Sequence, residues 1–185
     1  MIEIRWHGRG GQGAVTSVEM LALAAIEEGK FAQGFPSFGP ERRGAPLAAF
    51  SRVDSKQIRI RSNIYHPDVV AVLDPSLMKY VNVIEGLKPD GILVVNTPLS
   101  AQEISDVLQF KGTVAVVDAS KIAREELGVP ITNTTMLGAV VKATKVIKLS
   151  SLKNPIEHRF GRIAQKNMNA LKRAYDEVKI KKFGK

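Results

Sequence analysis

The sequence predicts an α/β fold, because buried strands and helical segments alternate along most of its 185 residues. Three continuous apolar runs, of the kind that is buried on both faces of a sheet, are the strongest strand signals. They lie at residues 69–73, 92–95 and 114–117, and the polar residues Asp74, Asn96 and Asp118 follow them. Segments of helical character come next, near residues 76–85, 101–108 and 120–127. We therefore expect a mostly parallel sheet with helices on both faces.

The N-terminal segment predicts a strand, a glycine loop and a helix, in that order. Residues 2–6 alternate apolar and polar side chains, as a strand does. A glycine-rich loop at residues 7–13 follows, and apolar residues at helical spacing then predict a helix over residues 14–28, which ends at Gly29. With the alternation described above, this start indicates a single Rossmann-like three-layer domain.

Two further features complete the predicted architecture. A short strand at residues 31–36 precedes a predicted hairpin, in which residues 47–53 pair with residues 57–61 around a turn at residues 54–56. After Pro130 the pattern is helical, over residues 134–147 and again from residue 155 to about residue 178. We expect an α/β domain at residues 1–148 and a helical, basic C-terminal extension at residues 149–185 packed on the same domain.

The chain contains no cysteine, which excludes several kinds of chemistry. It cannot form a disulfide, a thiolate zinc site, a cysteine nucleophile or a thiolate-ligated iron–sulfur cluster. Its three histidines do not stand at metal-ligand spacing on one helical face. We expect no metal site in this chain, and if the protein serves redox chemistry, another chain must carry the electrons.

The net charge of +9 is concentrated near the C-terminus. Residues 142–185 hold 13 of the 27 Lys and Arg residues but only 3 of the 18 Asp and Glu residues. A basic segment of this kind suits a solvated helix, an acidic partner or a nucleic acid. Few aromatic residues are interleaved with these charges and no nucleic-acid-reading motif is present, so a solvated or partner-facing helix is the favoured interpretation.

The glycine loop fits the pattern G-x-G-x-x-G at Gly8, Gly10 and Gly13, between a strand and a helix. Glycines let backbone amides approach an oxyanion, and the following helix N-terminus adds unpaired donors and partial positive charge. This arrangement predicts an anion site for phosphate or carboxylate. The alternative is a tight strand-to-helix turn with no ligand.

A nicotinamide dinucleotide is a weaker interpretation of the same loop. That reading requires an acidic residue at the end of the second strand to bind the ribose hydroxyls. Here the strand ends at Pro36, and the next acid, Glu41, lies beyond a Pro- and Gly-rich stretch. A stand-alone NAD(P)-dependent dehydrogenase and a basic nucleic-acid-binding module therefore remain only as alternative functions.

Several motifs together resemble the gamma subunit of 2-oxoacid:ferredoxin oxidoreductases, pyruvate synthase in particular. The glycine loop is followed by the segment Phe35 to Pro46, which reads FPSFGPERRGAP, then by DPSL at residues 74–77 and ITNTTMLGA at residues 131–139. The likeness spans about residues 1–145, in the order of that family. The combination of the glycine loop with the ERRGAP segment is its most specific part.

The resemblance implies a complex that converts a 2-oxo acid, most simply pyruvate, and coenzyme A to acyl-CoA and carbon dioxide while reducing ferredoxin. It implies partner alpha, beta and delta subunits, with thiamine diphosphate held by the alpha and beta chains and iron–sulfur clusters by the beta and delta chains. This chain would bind no cofactor alone, and coenzyme A would contact it as a substrate. The lack of cysteine agrees with a subunit that carries no cluster.

The candidate cofactor-binding residues lie in the two N-terminal motifs. The resemblance and the anion site together place phosphates of coenzyme A near Arg9, Gly10, Gly11, Gln12 and Gly13. Arg42 and Arg43 offer planar donors for phosphate or for a partner's carboxylate, or form a local ion pair with Glu41.

Other polar residues near the predicted sheet edge have a structural and a functional interpretation. Asp74 and Asp118 follow buried strands, where ligands bind in such folds, but helix capping is the simpler role. Capping is also the role expected for Asn133, while His7 either anchors the glycine turn or contacts a ligand. Trp6 is expected to be a packing residue, and no residue is assigned a catalytic role.

No apolar stretch is long enough to span a membrane, and the first residues lack the layout of a signal peptide. We therefore expect a cytoplasmic protein that contacts no membrane.

Overall fold

A computed structural model describes residues 1–37 and 44–184 of the chain. Its seven strands form one sheet in the order β2-β3-β1-β4-β5-β6-β7. The strands are β1 (Ile2–Arg9), β2 (Phe31–Pro36), β3 (Pro46–Asp54), β4 (Val69–Val72), β5 (Ile92–Asn96), β6 (Thr113–Val117) and β7 (Lys179–Lys182). The four central strands β1, β4, β5 and β6 are parallel, whereas β3 and β7 run antiparallel to their neighbours. Since β2 is antiparallel to β3, five of the seven strands share one direction, and the predicted mostly parallel sheet is confirmed.

Six helices in the described part of the chain cover the two faces of this sheet. They are α1 (Ala14–Glu27), α2 (Ala101–Leu108), α3 (Ala119–Leu127), α4 (Asn133–Thr144), α5 (Lys153–Phe160) and α6 (Ala164–Glu177). Short 3-10 turns lie at Pro75–Lys79, Leu149–Leu152 and Gly161–Ile163. Helices α1 and α3 to α6 contribute to the apolar core on one face, and α2 with the Pro75–Lys79 turn contributes to the core on the other. The α/β class and the three layers are therefore as the sequence predicts.

The apolar runs form strands that are buried on both faces. In β4, Val69 and Ala71 belong to one core, while Val70 and Val72 belong to the other. Strands β5 and β6 divide their side chains between the same two cores. Because successive side chains of a strand point to opposite faces, a continuous apolar run is the pattern that a sandwiched strand requires.

The predicted hairpin of residues 47–53 with residues 57–61 is not formed, and that prediction was wrong. Strand β3 pairs with β2 along 31–36, and residues 57–61 form no strand. The other edge of β3 is occupied by β1. Since a strand has only two hydrogen-bonding edges, none is left for residues 57–61, although their side chains alternate as a strand's do.

The helix predicted over residues 76–85 is only the short 3-10 turn at Pro75–Lys79. Beyond it, the carbonyl oxygens of Val83 and Glu85 both accept hydrogen bonds from the guanidinium of Arg5. These bonds hold the segment against β1 in a non-helical conformation. The buried arginine on β1 thus replaces helical hydrogen bonds that the local sequence favours.

The C-terminal segment is helical, but the single stretch predicted from residue 155 to about residue 178 is divided at Gly161 into α5 and α6, and a strand that was not predicted follows. Strand β7 adds to the sheet beside β6, although three of its four residues are lysines. Helix α6 packs on α4, where Gly138 lies directly against the backbone of Leu171. Helix α4 itself ends at Thr144, earlier than predicted, because Lys145 adopts a left-handed conformation with φ of 54°.

None of the helices described is long and apolar enough to cross a membrane.

Candidate functional site

The glycine turn lies at the carboxyl end of β1, at the point where the sheet connections diverge. Strand β1 extends to Arg9, so the loop is shorter than the predicted residues 7–13 and begins at Gly10. The chain leaves β1 through α1 toward one side of the sheet, and it leaves the neighbouring strand β4 toward the other side. In open α/β sheets such a divergence creates a crevice at the carboxyl ends of the strands, which is the usual position of a ligand.

The turn is closed on one side by backbone hydrogen bonds to the segment that precedes β3. The amide of Gly10 donates to the carbonyl of Ala45 at 2.9 Å, and the amide of Gly44 donates to the carbonyl of Gly10 at 3.0 Å. The amide of Gln12 donates to the carbonyl of Arg9 at 3.0 Å. The turn is therefore a defined structure, in which the amides of Gly10 and Gln12 are already used.

Helix α1 begins directly after the turn, at Ala14. Its N-cap is Gly13, in a left-handed conformation with φ of 82°, which has no side chain to cap the first-turn amides. No acidic residue lies in that first turn. The positive end of a 14-residue helix therefore lies at the glycine turn without a carboxylate of its own.

A network of polar side chains surrounds the turn and is centred on Asp74, which follows β4. The Oδ2 atom of Asp74 accepts hydrogen bonds from Arg9 Nε at 2.9 Å and from Gln12 Nε2 at 3.0 Å. Its Oδ1 atom accepts from the amide of Ser76 at 2.9 Å and from the hydroxyl of Ser76 at 2.6 Å. The capping role predicted for Asp74 is confirmed, and its contact with the glycine turn is an additional feature.

Arg9 and Gln12 are both held by bonds within the chain. Arg9 Nη1 donates to the carbonyl of Gly44 at 3.1 Å, and Nη2 donates to the hydroxyl of Ser76 at 2.9 Å. The Oε1 atom of Gln12 accepts from the amide of Arg9 at 2.7 Å. Every nitrogen of the Arg9 guanidinium thus has a partner, while 27% of the side chain remains exposed.

The carboxyl group of Asp74 is ionised throughout the physiological range. Burial acts to raise the pKa of Asp74, but hydrogen bonds from Ser76, Gln12 and Arg9 outweigh it and hold the pKa below its ordinary value of 3.8. The carboxylate therefore balances the positive charge of Arg9 beside the turn.

Helix α4 approaches the turn from the far end of the chain. A Cβ atom on Gly13 would stand 2.6 Å from Nδ2 of Asn133, and the hydroxyl of Ser17 donates to the carbonyl of Asn133 at 3.2 Å. The prediction that Asn133 caps α4 was wrong by one residue, because the N-cap is Thr132. The Oδ1 atom of Asn133 accepts instead from the amide of Thr134 at 2.8 Å.

His7 and Trp6, which precede the turn, point to opposite faces of β1. The Nε2 atom of His7 accepts from Arg5 Nε at 3.0 Å, and burial together with the charge of Arg5 lowers the pKa of His7 to about 4. His7 is therefore a neutral, buried residue that anchors Arg5. Trp6 is fully buried and donates from its indole nitrogen to Ser51 Oγ at 3.0 Å, so the packing role predicted for it is confirmed.

The structure brings five of the predicted site residues together, namely Arg9, Gly10, Gly11, Gln12 and Gly13. The other two, Arg42 and Arg43, lie outside the described residues. Asp74 joins this cluster, although it was not predicted to do so. Its position directly after a buried parallel strand was the available signal, since the carboxyl ends of neighbouring parallel strands share one edge.

A cavity of about 460 Å³ lies at the carboxyl ends of β5 and β6, away from the glycine turn. The helices that begin there already have side-chain caps. Ser100 and Glu103 form a reciprocal capping box on α2, and Asp118 accepts from the amide of Lys121 in α3. The capping role predicted for Asp118 is thereby confirmed. Because these caps satisfy both helix starts, the glycine turn is the better candidate for an anion site.

Comparison with known proteins identifies the family of the chain. The family model described as "Pyruvate ferredoxin/flavodoxin oxidoreductase" matches residues 3–177. The chain is 54% identical to the "Pyruvate/ketoisovalerate oxidoreductases common subunit gamma" of Pyrococcus abyssi, over 97% of this chain and 98% of that protein. It is 49% identical to the "Pyruvate synthase subunit PorC" of Methanocaldococcus jannaschii, over the full length of both.

A solved structure is similar over nearly the whole fold. The crystal structure of the pyruvate oxidoreductase subunit PORC from Thermotoga maritima superposes with a TM-score of 0.88 and 42% identity, over 98% of each chain. Together with the matches in sequence, this shows that the resemblance found in the motifs extends to the C-terminus. The chain belongs to the pyruvate ferredoxin/flavodoxin oxidoreductase family, among its gamma subunits.

Proposed function

We propose that this chain is the gamma subunit of a complex that oxidises pyruvate to acetyl-CoA and carbon dioxide and passes the electrons to ferredoxin. The names of relatives about half identical over their whole length support this proposal. Thiamine diphosphate and the iron–sulfur clusters would reside in the alpha, beta and delta subunits. A chain without cysteine has no thiolate for a cluster, which agrees with this division of roles. The complex would be cytoplasmic.

The contribution of this chain would be to bind phosphate groups of coenzyme A at the glycine turn. The observation that carries this proposal is the N-terminus of α1, which has no side-chain cap and follows the carboxyl end of β1, beside β4. Backbone donors and a helix dipole at such a position suit a phosphate or pyrophosphate. Gly10, Gly11 and Gly13 would allow the close approach, with Arg9 and Gln12 at its border and Arg42 and Arg43 as further candidate donors.

The alternative of a stand-alone NAD(P)-dependent dehydrogenase is not favoured by the site. Strand β2 ends at Pro36, and no acidic residue lies in it. A dinucleotide fold of the usual kind needs a carboxylate there for the ribose hydroxyls. Fluorescence titration of the isolated chain with NADPH or NADH should therefore show no tight binding.

A variant of the turn tests the coenzyme A site. Gly11 has φ of 90°, and Gly11→Asp adds a negative charge where we expect phosphate to bind. The assembled complex should show an apparent KM for coenzyme A that is raised by about tenfold or more. A carboxylate at this position repels the phosphate, and the loss of binding is at least that of one charged hydrogen bond. Gly29→Asp is the matched control, because Gly29 also has a positive φ, and no heavy atom lies within 4 Å of the position of its Cβ. An unchanged KM in Gly11→Asp would remove the site assignment.

A second candidate is a subunit shared between two complexes with different 2-oxo acids. The name of the relative from Pyrococcus abyssi, a common subunit of pyruvate and ketoisovalerate oxidoreductases, favours it. Affinity purification of this chain from its native source, followed by mass spectrometry, distinguishes the two. One set of partner subunits indicates a dedicated pyruvate complex, and two sets indicate a shared subunit.

A further inference from the structure

Asp74 connects three parts of the molecule that meet at the glycine turn. Its carboxylate bonds Arg9 at the end of β1, Gln12 within the turn and Ser76 in the 3-10 turn after β4. The side chain is only 16% exposed, so water competes weakly for these bonds. One carboxylate therefore holds both side chains that flank Gly10 and Gly11.

The bonds to Asp74 form a closed ring with the backbone. Gln12 donates to Asp74 through Nε2 and accepts from the amide of Arg9 through Oε1, while Arg9 donates to the same oxygen of Asp74. Each of the three residues is thus bonded to the other two. In such a ring, the position of one side chain fixes the position of the others.

We propose that Asp74 is a positioning residue, which holds the glycine turn in the conformation that presents the amides of Gly11 and Gly13 to an anionic ligand. This inference rests on the proposed coenzyme A site and assigns to it a residue outside the glycine motif. Asp74 does not contact the ligand, because a carboxylate would repel a phosphate. It acts through Arg9 and Gln12, whose conformations it sets.

The chain offers a matched comparison in Asp118. Like Asp74, this residue follows a buried parallel strand and accepts a hydrogen bond from a backbone amide of the next helical turn, at 2.9 Å in both cases. Its carboxylate has no bond to the glycine turn among those that the described residues form. A comparison of the two aspartates therefore separates loss of a cap from loss of the positioning contact.

The experiment compares Asp74→Asn with Asp118→Asn in the assembled complex. In Asp74→Asn an amide nitrogen replaces Oδ2. This nitrogen is a donor, as are Arg9 Nε and Gln12 Nε2, so the bonds to both residues are lost. We expect faster hydrogen exchange at residues 9–14 and an apparent KM for coenzyme A raised by about tenfold, the effect of losing a charged hydrogen bond, with kcat retained. Asp118→Asn should change neither quantity.

Two results would overturn the positioning role. One is hydrogen exchange at residues 9–14 that is unchanged in Asp74→Asn or equally fast in Asp118→Asn. The other concerns a complex in which Gly11→Asp still raises the KM for coenzyme A. In that complex, a KM that stays constant in Asp74→Asn, or falls because Arg9 has been released, contradicts the positioning role. A complex that does not respond to Gly11→Asp contradicts the coenzyme A site instead. If Asp74→Asn does not assemble, Gln12→Ala opens the ring while leaving the Arg9–Asp74 ion pair, and its exchange at residues 9–14 decides the question.

Discussion

Gly13 and Asn133 touch so closely that the structure has no room for a side chain on Gly13. A Cβ atom there would stand 2.6 Å from Asn133 Nδ2 and 3.0 Å from Asn133 Cβ. The contact joins the start of α1 to the start of α4, two helices far apart in sequence. It places both helix N-termini at the crevice beside the glycine turn.

The first prediction concerns this contact. Gly13→Ala should lower the free energy of unfolding by about 3 kcal/mol, because it adds overpacking to the cost of a left-handed conformation. The measurement is urea unfolding followed by the fluorescence of Trp6, which is the only tryptophan and is fully buried.

Gly29→Ala is the control for Gly13→Ala. Gly29 has a similar φ of 74°, and no heavy atom lies within 4 Å of the position of its Cβ. This variant should therefore cost about 1 kcal/mol, from the backbone conformation alone. Equal losses in the two variants would contradict the close contact with Asn133.

The second prediction tests the packing of α4 on α6. A Cβ atom on Gly138 would stand 2.1 Å from the carbonyl oxygen of Leu171. Alanine is the better helix former by about 1 kcal/mol, so an unhindered Gly138→Ala would stabilise the protein. We expect a net loss of about 1–3 kcal/mol in the same urea measurement, because the helices must move apart. A gain in stability would show that they are not in contact at this position.

The third prediction is a loss of stability in acid that depends on His7. Its pKa falls from 6.5 to about 4 in the folded protein, chiefly through burial and secondarily through Arg5. Above pH 6.5 the residue is neutral in both states and has no effect. As the pH falls from 6.5 to 4, the unfolded state binds a proton that the folded state does not, which costs up to about 3 kcal/mol.

The variant His7→Gln isolates this effect. It keeps a polar group beside Arg5 but does not titrate, so it should lose less stability than the parent protein between pH 7 and pH 4. Urea unfolding at several pH values gives the comparison, since the carboxyl groups titrate alike in both proteins. Parallel curves for the two proteins would contradict a buried, neutral His7.

The fourth prediction concerns removal of the C-terminal residues 149–185. This segment supplies fully buried core side chains, among them Leu152, Ile156 and Leu171. Its loss would expose the apolar surface of α4 and α1, so the truncated chain should show no cooperative unfolding transition by circular dichroism. A folded truncated chain would show that residues 1–148 form an independent core.

Because removal of residues 149–185 should also unfold the chain, a test of the alternative, a nucleic-acid-binding module, needs a variant that changes charge only. Arg159, Arg162 and Lys166 are exposed, and their combined change to glutamine leaves the buried residues in place. Under the proposed function, neither the parent protein nor this variant should bind DNA or RNA with a steep dependence on salt. Such binding by the parent, lost in the variant, would favour the alternative.

The central strands and several helices could be predicted because their signals are local. The apolar runs of β4, β5 and β6 are long enough to be recognised as buried strands without knowledge of their neighbours. The bounds of α2 are those that the periodicity predicts. The hairpin partner was wrong because strand pairing depends on which edge of β3 is free. Strand β7 was missed because its lysines make the sequence polar, whereas its place in the sheet comes from pairing with β6.

The same distinction applies to the candidate site. The glycine turn and the helix after it follow from G-x-G-x-x-G, because positive φ angles and a helix start are local properties. The bonds from Asp74 to Arg9 and Gln12 join residues at or just after the carboxyl ends of two adjacent strands, β4 and β1, and strand order is a property of the whole sheet. The contact of Gly13 with Asn133 depends on the packing of α4 and could not be predicted from either segment.

The lysines of β7 have a consequence for association between molecules. This strand closes the sheet on the side of β6, and its four residues are all exposed. An open strand edge is a template for further pairing, but a second molecule approaching β7 would meet ammonium groups on both faces, Lys179 and Lys181 on one and Lys182 on the other. Two copies meeting at this edge would repel each other, which protects the protein against fibrous growth of its sheet through β7.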